Sequence, residues 1–144
     1  MSQKNVELVR GFLFGPDVDV APLFRDDEKW AALSAWLPFA FDADFECYAS
    51  MFEGDWSDSG PEGLRNLYLR WLAPWETYRQ EMEQVIDLGD PVLVLPRDFA
   101  RRQGSTYEVE NKTAVVFTFS DGKIARWEVY LNHGEGLRAV GLAE

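Results

Sequence analysis

The spacing of apolar residues changes along this chain, from the three-and-four steps of helices in its first half to the alternation of strands in its second. Val6, Val9, Phe12 and Leu13 fall on one helical face behind Ser2, a helix-capping residue type, and Gly15-Pro16 ends the run. Asp19 predicts a short capped turn through Leu23 and Phe24. Asp26 or Asp27 predicts a further helix bearing Trp30, Leu33 and Leu37, interrupted by Pro38. Phe45 to Tyr48 reads as a short first strand. Ser59, with Glu62 three residues on, opens a helix whose apolar face is Leu64, Leu67, Tyr68, Trp71 and Leu72, and Pro74 closes it.

Thr77 to Asp87 then alternates as a half-exposed strand, and Gly89-Asp90 turns into Val92 to Arg102, a strand that begins as an uninterrupted apolar run. Beyond Gly104-Ser105, the stretch Tyr107 to Phe119 predicts another strand, joined to Ile124 to Leu131 through Asp121-Gly122. Asp and Gly tolerate the positive φ of a tight hairpin turn, so this pair runs antiparallel. An amphipathic tail of Leu137, Val140 and Leu142 closes the pattern. Helices first and a long meander afterwards predict an α+β domain. Its curved antiparallel sheet, of about four to six strands, holds the helices in its concave face.

With 144 residues, positions 1–144 read as one domain, large enough to bury a core without metals or disulfides. The formal charge of −11 repels phosphates and anionic headgroups, so neither nucleic acid nor a membrane surface is an expected partner. The first residues lack the apolar block of a signal peptide, and no apolar run approaches spanning length. A single cysteine, Cys47, excludes an internal disulfide and suits a reducing, cytoplasmic location. Six Trp and ten Phe are many for so small a domain, enough to fill a core or to line a pocket.

The order of these elements, with Val-Phe-Thr-Phe-Ser-Asp-Gly-Lys-Ile-Ala-Arg-Trp-Glu-Val-Tyr-Leu at 116–131 and Val-Ile-Asp-Leu-Gly-Asp at 85–90, resembles the SnoaL-like proteins. These belong to the nuclear transport factor 2-like superfamily of ketosteroid isomerases, limonene epoxide hydrolases and polyketide cyclases. The resemblance implies a cone-shaped fold around one cavity, with a homodimer through the outer sheet face carrying Arg126, Glu128 and Tyr130. It also implies that the longer segment Glu28 to Trp36 lids or narrows the cavity mouth. The isomerases' general base aligns with Cys47, beside Glu46, and their helix-borne tyrosine with Phe12 or Leu13. Of the epoxide hydrolases' Arg and two Asp, Arg97 matches the first, while Phe99 and Val129 occupy the other two positions. A histidine common among SnoaL relatives aligns with Val115. Neither steroid isomerisation nor epoxide hydrolysis is therefore expected.

Read for their own chemistry, one His and one Cys exclude a zinc site and a Ser-His-Asp triad, and no cofactor is implied. His133, in Asn132-His-Gly-Glu, reads as a solvated helix start. Cys47 becomes a nucleophile only beside an electropositive neighbour, and otherwise behaves as a small apolar side chain. Strand alternation places Arg97 with Leu93, Leu95 and Phe99, the face expected to turn inward. There it pairs with a carboxylate such as Glu81 or Glu83, or waits for the polar end of a ligand. Trp71 and Trp127, sharing an inward phase with Phe117 and Phe119, are candidate pocket walls.

The candidate ligand-binding set is thus Cys47, Trp71, Arg97, Phe99, Val115, Trp127 and Val129, for a small apolar or aromatic molecule. Two classes stay open: a binding domain without catalytic groups, and an isomerase, cyclase or hydrolase using acid/base chemistry. What separates them is whether a carboxyl or phenol, such as Asp44, Tyr48, Tyr78 or Asp98, points into the cavity.

Overall fold

The computed structural model describes residues 2–12, 15–51 and 54–142. Helices α1 (Ser2–Phe12), α2 (Ala21–Arg25) and α3 (Asp27–Trp36) lead through a 3-10 turn at Leu37–Phe39 into strands β1 (Phe41–Met51) and β2 (Gly54–Ser59). Helix α4 (Gly60–Leu72) follows, then β3 (Trp75–Asp87), β4 (Val92–Arg102), β5 (Val109–Asn111), β6 (Ala114–Ser120), β7 (Lys123–Tyr130) and helix α5 (His133–Ala139). One sheet contains all seven strands in the order β2-β1-β7-β6-β4-β3, with β5 paired to β4. Neighbouring strands run antiparallel except β1 and β7, which are parallel, so the curved sheet is mixed. It also holds more strands than the pattern predicts.

Local chemistry explains most boundaries. The Asp26 carboxylate accepts from the amides of Glu28 and Lys29 and starts α3. Asp121 (φ 51°) and Gly122 (φ 80°) make the β6–β7 turn left-handed at both central positions, the conformation the Asp-Gly pair predicts. Ser59 precedes α4, but its side chain makes no capping bond. Two elements differ from expectation. Strand β2 is polar and mostly exposed at the sheet edge, so it carries no apolar alternation. The predicted strand Tyr107 to Phe119 is two, because β5 pairs with Asp98–Ala100 of β4 while β6 pairs with Val92–Val94. Lys112 and Thr113 lie between them.

The main core fills the space between the sheet and α1 to α4, with Phe24, Phe41, Phe45, Leu64, Leu67, Phe117 and Trp127 buried there. A second cluster lies apart from it. Leu93, Leu95, Ala114 and Val116 pack against Leu137 and Val140 from α5 and the residue after it. Gly136 permits this approach, since a Cβ there would meet the Cβ of Ala114 at 2.3 Å.

That second cluster reverses the expected phase of β4. Leu93 and Leu95 serve α5, Val92, Val94 and Ala100 serve the main core, and Arg97 therefore faces outward while Asp98 is buried. A run buried on both faces does not reveal which face is inner. Phe99 shares the outer face with Arg97. The lid expected from Glu28 to Trp36 is corrected too. Trp30 of α3 is buried against Phe24, and no residue of this segment borders the hollow described next.

Candidate functional site

Tyr78 is held from two directions. The Asp19 carboxylate accepts from the amides of both Ala21 and Tyr78, at 3.1 and 2.9 Å, and the Val20 amide donates to the Tyr78 carbonyl at 2.7 Å. The bend between α4 and β3 is fixed by Arg25, whose guanidinium donates to the carbonyls of Leu72 and Trp75 at 2.6 and 2.5 Å. It thus satisfies a carbonyl left open at the helix end. These clamps set Trp71 against Tyr78, and the indole N–H donates to the phenol oxygen at 2.9 Å.

The phenol in turn donates to Oδ2 of Asp98 at 2.5 Å. Thr113, placed by the break between β5 and β6, donates to the same oxygen at 2.7 Å. Gln80, directly opposite Asp98 in the β3–β4 register, donates to Oδ1 at 3.0 Å. Asp98 is only 1 % exposed. Burial pushes its carboxyl above the ordinary aspartate range, while the three hydrogen bonds and nearby His133 pull the other way. Burial, reinforced by Asp98, likewise holds the Tyr78 phenol protonated well above its usual range.

This network borders a hollow of about 280 Å³, counting its opening to solvent, lined by Leu67, Tyr68, Val115 and Val129 on its apolar side. Room for the centres of water molecules is about 10 Å³, enough for about one water. Of the candidates for acid/base work, Tyr78 and Asp98 line the hollow and Asp44 and Tyr48 do not. Among the predicted ligand contacts, Trp71, Val115 and Val129 line it. Trp127 is core instead, packed against Phe41, Tyr68 and Phe117 with ring centroids 5.4 to 6.0 Å apart.

Arg97 requires correction. It pairs with Glu110 through two hydrogen bonds, of 3.1 and 3.0 Å, on the outer face. Its guanidinium also lies 5.4 Å from the Phe99 ring centre, with Arg79 covering that ring at 4.3 Å. Neither Arg97 nor Phe99 reaches the hollow, so the proposed grip on a ligand's polar end is wrong. Cys47 borders a different hollow, with Glu46, Tyr48, Asp58 and Arg126 around about 660 Å³, again counting its opening to solvent. Burial and the Asp58 carboxylate push its thiol up to about 12, which leaves it protonated and poorly nucleophilic at neutral pH. The larger hollow is therefore not the better site for chemistry. Of the positions aligned with the isomerase tyrosine, Leu13 and the side chain of Phe12 lie outside the described residues.

Pattern reading passed over Gln80 and Thr113 and kept Asp98 only as a candidate. The amphipathic tail was the missed signal, since Leu137 and Val140 need an apolar sheet face, and claiming Leu93 and Leu95 for it turns Asp98 inward. Among the described residues no group of three His, Cys, Asp or Glu is placed to hold a metal ion. Among the described residues no helix is long and apolar enough to cross a membrane.

A model of the SnoaL-like domain matches residues 25–127. The chain belongs to the SnoaL-like domain family. No curated protein matches it significantly. Among solved structures, a phenazine biosynthesis-related protein from Pseudomonas aeruginosa is similar over 99% of this SnoaL-like chain and 88% of its own, at 17% identity and a TM-score of 0.62. A LEH-like epoxide hydrolase of M. tuberculosis is similar over 95% and 91%, at 18% identity and a TM-score of 0.57. A hypothetical protein with a ketosteroid isomerase-like fold from Catenulispora acidiphila, in complex with trimethylamine, is similar over 90% and 95%, at 18% identity and a TM-score of 0.58. At these identities the likeness is one of α+β fold, which hosts many chemistries.

Proposed function

We propose that this SnoaL-like protein performs acid/base chemistry on a small, largely apolar molecule, with Asp98 as the group that takes and returns a proton. The observation that carries the reading is the buried Asp98–Tyr78 hydrogen bond at the wall of the hollow. A carboxyl whose proton affinity is raised by burial is a stronger base than an exposed one and can return the proton it takes. Tyr78, kept protonated, steadies the carboxylate and moves with its charge. The apolar wall of Leu67, Val115 and Val129 suits a hydrocarbon body and keeps bulk water away. Relatives in fold include a LEH-like epoxide hydrolase, so small-molecule chemistry is at home on this scaffold. Arg97 has no part in this reading.

The experiment is proton exchange in D2O. A panel of cyclic and aryl-alkyl ketones, with and without hydroxyl groups, is followed by proton NMR for loss of the signal α to the carbonyl. Wild type is expected to accelerate exchange for some members, and Asp98→Asn to lower that rate by about 10²-fold or more, the usual loss for a general base. Absence of catalysed exchange across the panel, or equal rates in Asp98→Asn, refutes the reading. The proposed assembly is a homodimer through the outer face at Arg126, Glu128 and Tyr130, where the rings of Tyr48 and Tyr130 lie 5.8 Å apart. Light scattering at micromolar concentration tests it, and a monomer mass refutes it.

A further inference from the structure

The donors of the Asp98 network are almost all in use. Tyr78 and Thr113 give their only O–H to Asp98, Trp71 gives its only N–H to Tyr78, and Gln80 gives one of its two amide hydrogens to Asp98. Tyr68 of α4 differs from all of them. Its side chain lines the same hollow and is 6 % exposed, yet among the described residues its hydroxyl has no hydrogen-bond partner. The ring is clamped, stacked on Phe24 with centroids 4.1 Å apart and planes 7° from parallel, and set edge-on to Trp127 at 5.4 Å. Burial, reinforced by nearby Asp98, holds this phenol protonated well above its ordinary range, so it offers a hydrogen and not a negative oxygen. A buried hydroxyl without a partner lowers stability. One pinned at the wall of a hollow is a donor in wait of a ligand.

We infer that Tyr68 donates its phenol hydrogen to the carbonyl oxygen of a neutral aldehyde or ketone, a second residue of this site that touches the reacting group. The inference rests on the proton-transfer reading and adds the group that receives the displaced charge. Asp98, as carboxylate, takes a hydrogen from the carbon next to the carbonyl as a proton. The electron pair of that C–H bond becomes the second bond to the carbonyl carbon, and the carbonyl π pair moves onto oxygen. The hydrogen bond from Tyr68 strengthens as the oxygen gains this charge. Asp98 exchanges its proton with solvent and returns one to the same carbon, so no co-reactant is consumed. The donors are thus divided: Tyr78, Thr113 and Gln80 serve the carboxylate, and Tyr68 serves the ligand. The closed end of the hollow accommodates one water-sized oxygen, and the apolar body follows Leu67, Val115 and Val129 toward the opening. Gln80 keeps one amide hydrogen, but its side chain is only half-buried and has water to satisfy it.

Tyr68→Phe keeps both ring contacts and removes only the hydroxyl. It is expected to slow ketone proton exchange in D2O by about 10²-fold or more, the usual loss for one oxyanion donor. Thermal stability should be unchanged or raised, because no partner in the fold is lost. Binding is read apart from chemistry by fluorine NMR at pH 7, with 4-fluoroacetophenone and with 1-ethyl-4-fluorobenzene, which has the same ring and no oxygen. Relative to wild type, Tyr68→Phe is expected to bind the ketone about fivefold more weakly and the hydrocarbon equally. Carbon-13 NMR of the ketone labelled at its carbonyl reads the same contact in wild type alone, as a bound signal downfield of its position in hexane. That measurement stands even if the variant does not fold. Equal ketone affinity in the two proteins, equal weakening of both probes, no downfield signal, or no binding of the ketone overturns the inference. Catalysed exchange that Tyr68→Phe leaves unchanged also overturns it, with the proton-transfer reading still standing. Selective loss of ketone binding in Tyr68→Phe, with no exchange by wild type, does the reverse.

Discussion

On the inner face of β4, Asp98 is almost wholly buried and takes three hydrogen bonds, whereas its neighbours Arg97 and Phe99 turn outward into a row of ion pairs. There Arg79 pairs with Glu108, Arg97 with Glu110 and Arg101 with Glu76, each pair open to water. The outer row has many charges and little leverage, because solvent screens each pair and competes for its partners. The inner network has one charge, yet every bond to it acts where burial has removed most of the competing water. Chemistry gathers on the poorer-looking face, since a perturbed acid needs burial more than it needs company.

Breaking the inner packing should produce the largest effect. Trp127 joins Phe41, Tyr68 and Phe117 below the site, and Trp127→Ala is expected to cost about 3 to 5 kcal/mol in denaturant unfolding. Tyr78→Phe keeps the ring but strips a donor from Asp98 and the acceptor from Trp71. Its expected cost is about 1 to 3 kcal/mol, and exchange activity should fall with it. On the opposite side of the sheet, Gly136→Ala forces α5 away from Ala114. Chemical denaturation should register about 1 to 3 kcal/mol for this overpacking, with proton exchange unaffected.

A pH titration sharpens the comparison between the faces. Because burial raises the folded-state pKa of Asp98 above its unfolded value, the folded chain holds a proton that the unfolded chain has released between the two values. Stability contributed by this group is therefore present below the ordinary aspartate range and falls as pH rises through the folded pKa. In Asp98→Asn that part of the pH profile should flatten. Glu110 shifts the opposite way, lowered mainly by its hydrogen bonds from Arg97, so its contribution is lost as pH falls. The smallest effect is expected for Arg97→Ala, which should lower stability slightly, lose that difference in high salt, and leave proton exchange unchanged. Slowed proton exchange in Arg97→Ala would erase the distinction drawn between the two faces.

Much of the architecture was legible from short-range pattern. The Asp121-Gly122 hairpin, the apolar face of α4 and the span of β4 each depend on residues close in sequence, where turn chemistry and periodicity act directly. The site was less legible. Trp71 was a candidate through its expected inward phase, and Val115 and Val129 only as positions aligned by the family resemblance, while Gln80 and Thr113, which line the same hollow, gave neither signal.

What the chain determined by itself is the kind of each element and the α+β class, because local sterics and the alternation of apolar residues suffice for both. Tertiary structure decided which face of β4 is inner, since α5 claims Leu93 and Leu95 from the other side. It also decided that Asp98 meets Tyr78, Gln80 and Thr113, residues 20, 18 and 15 positions away. Contacts across that distance exist only once strands are paired in register, and a carboxyl acquires a shifted proton affinity only when that pairing has removed its water.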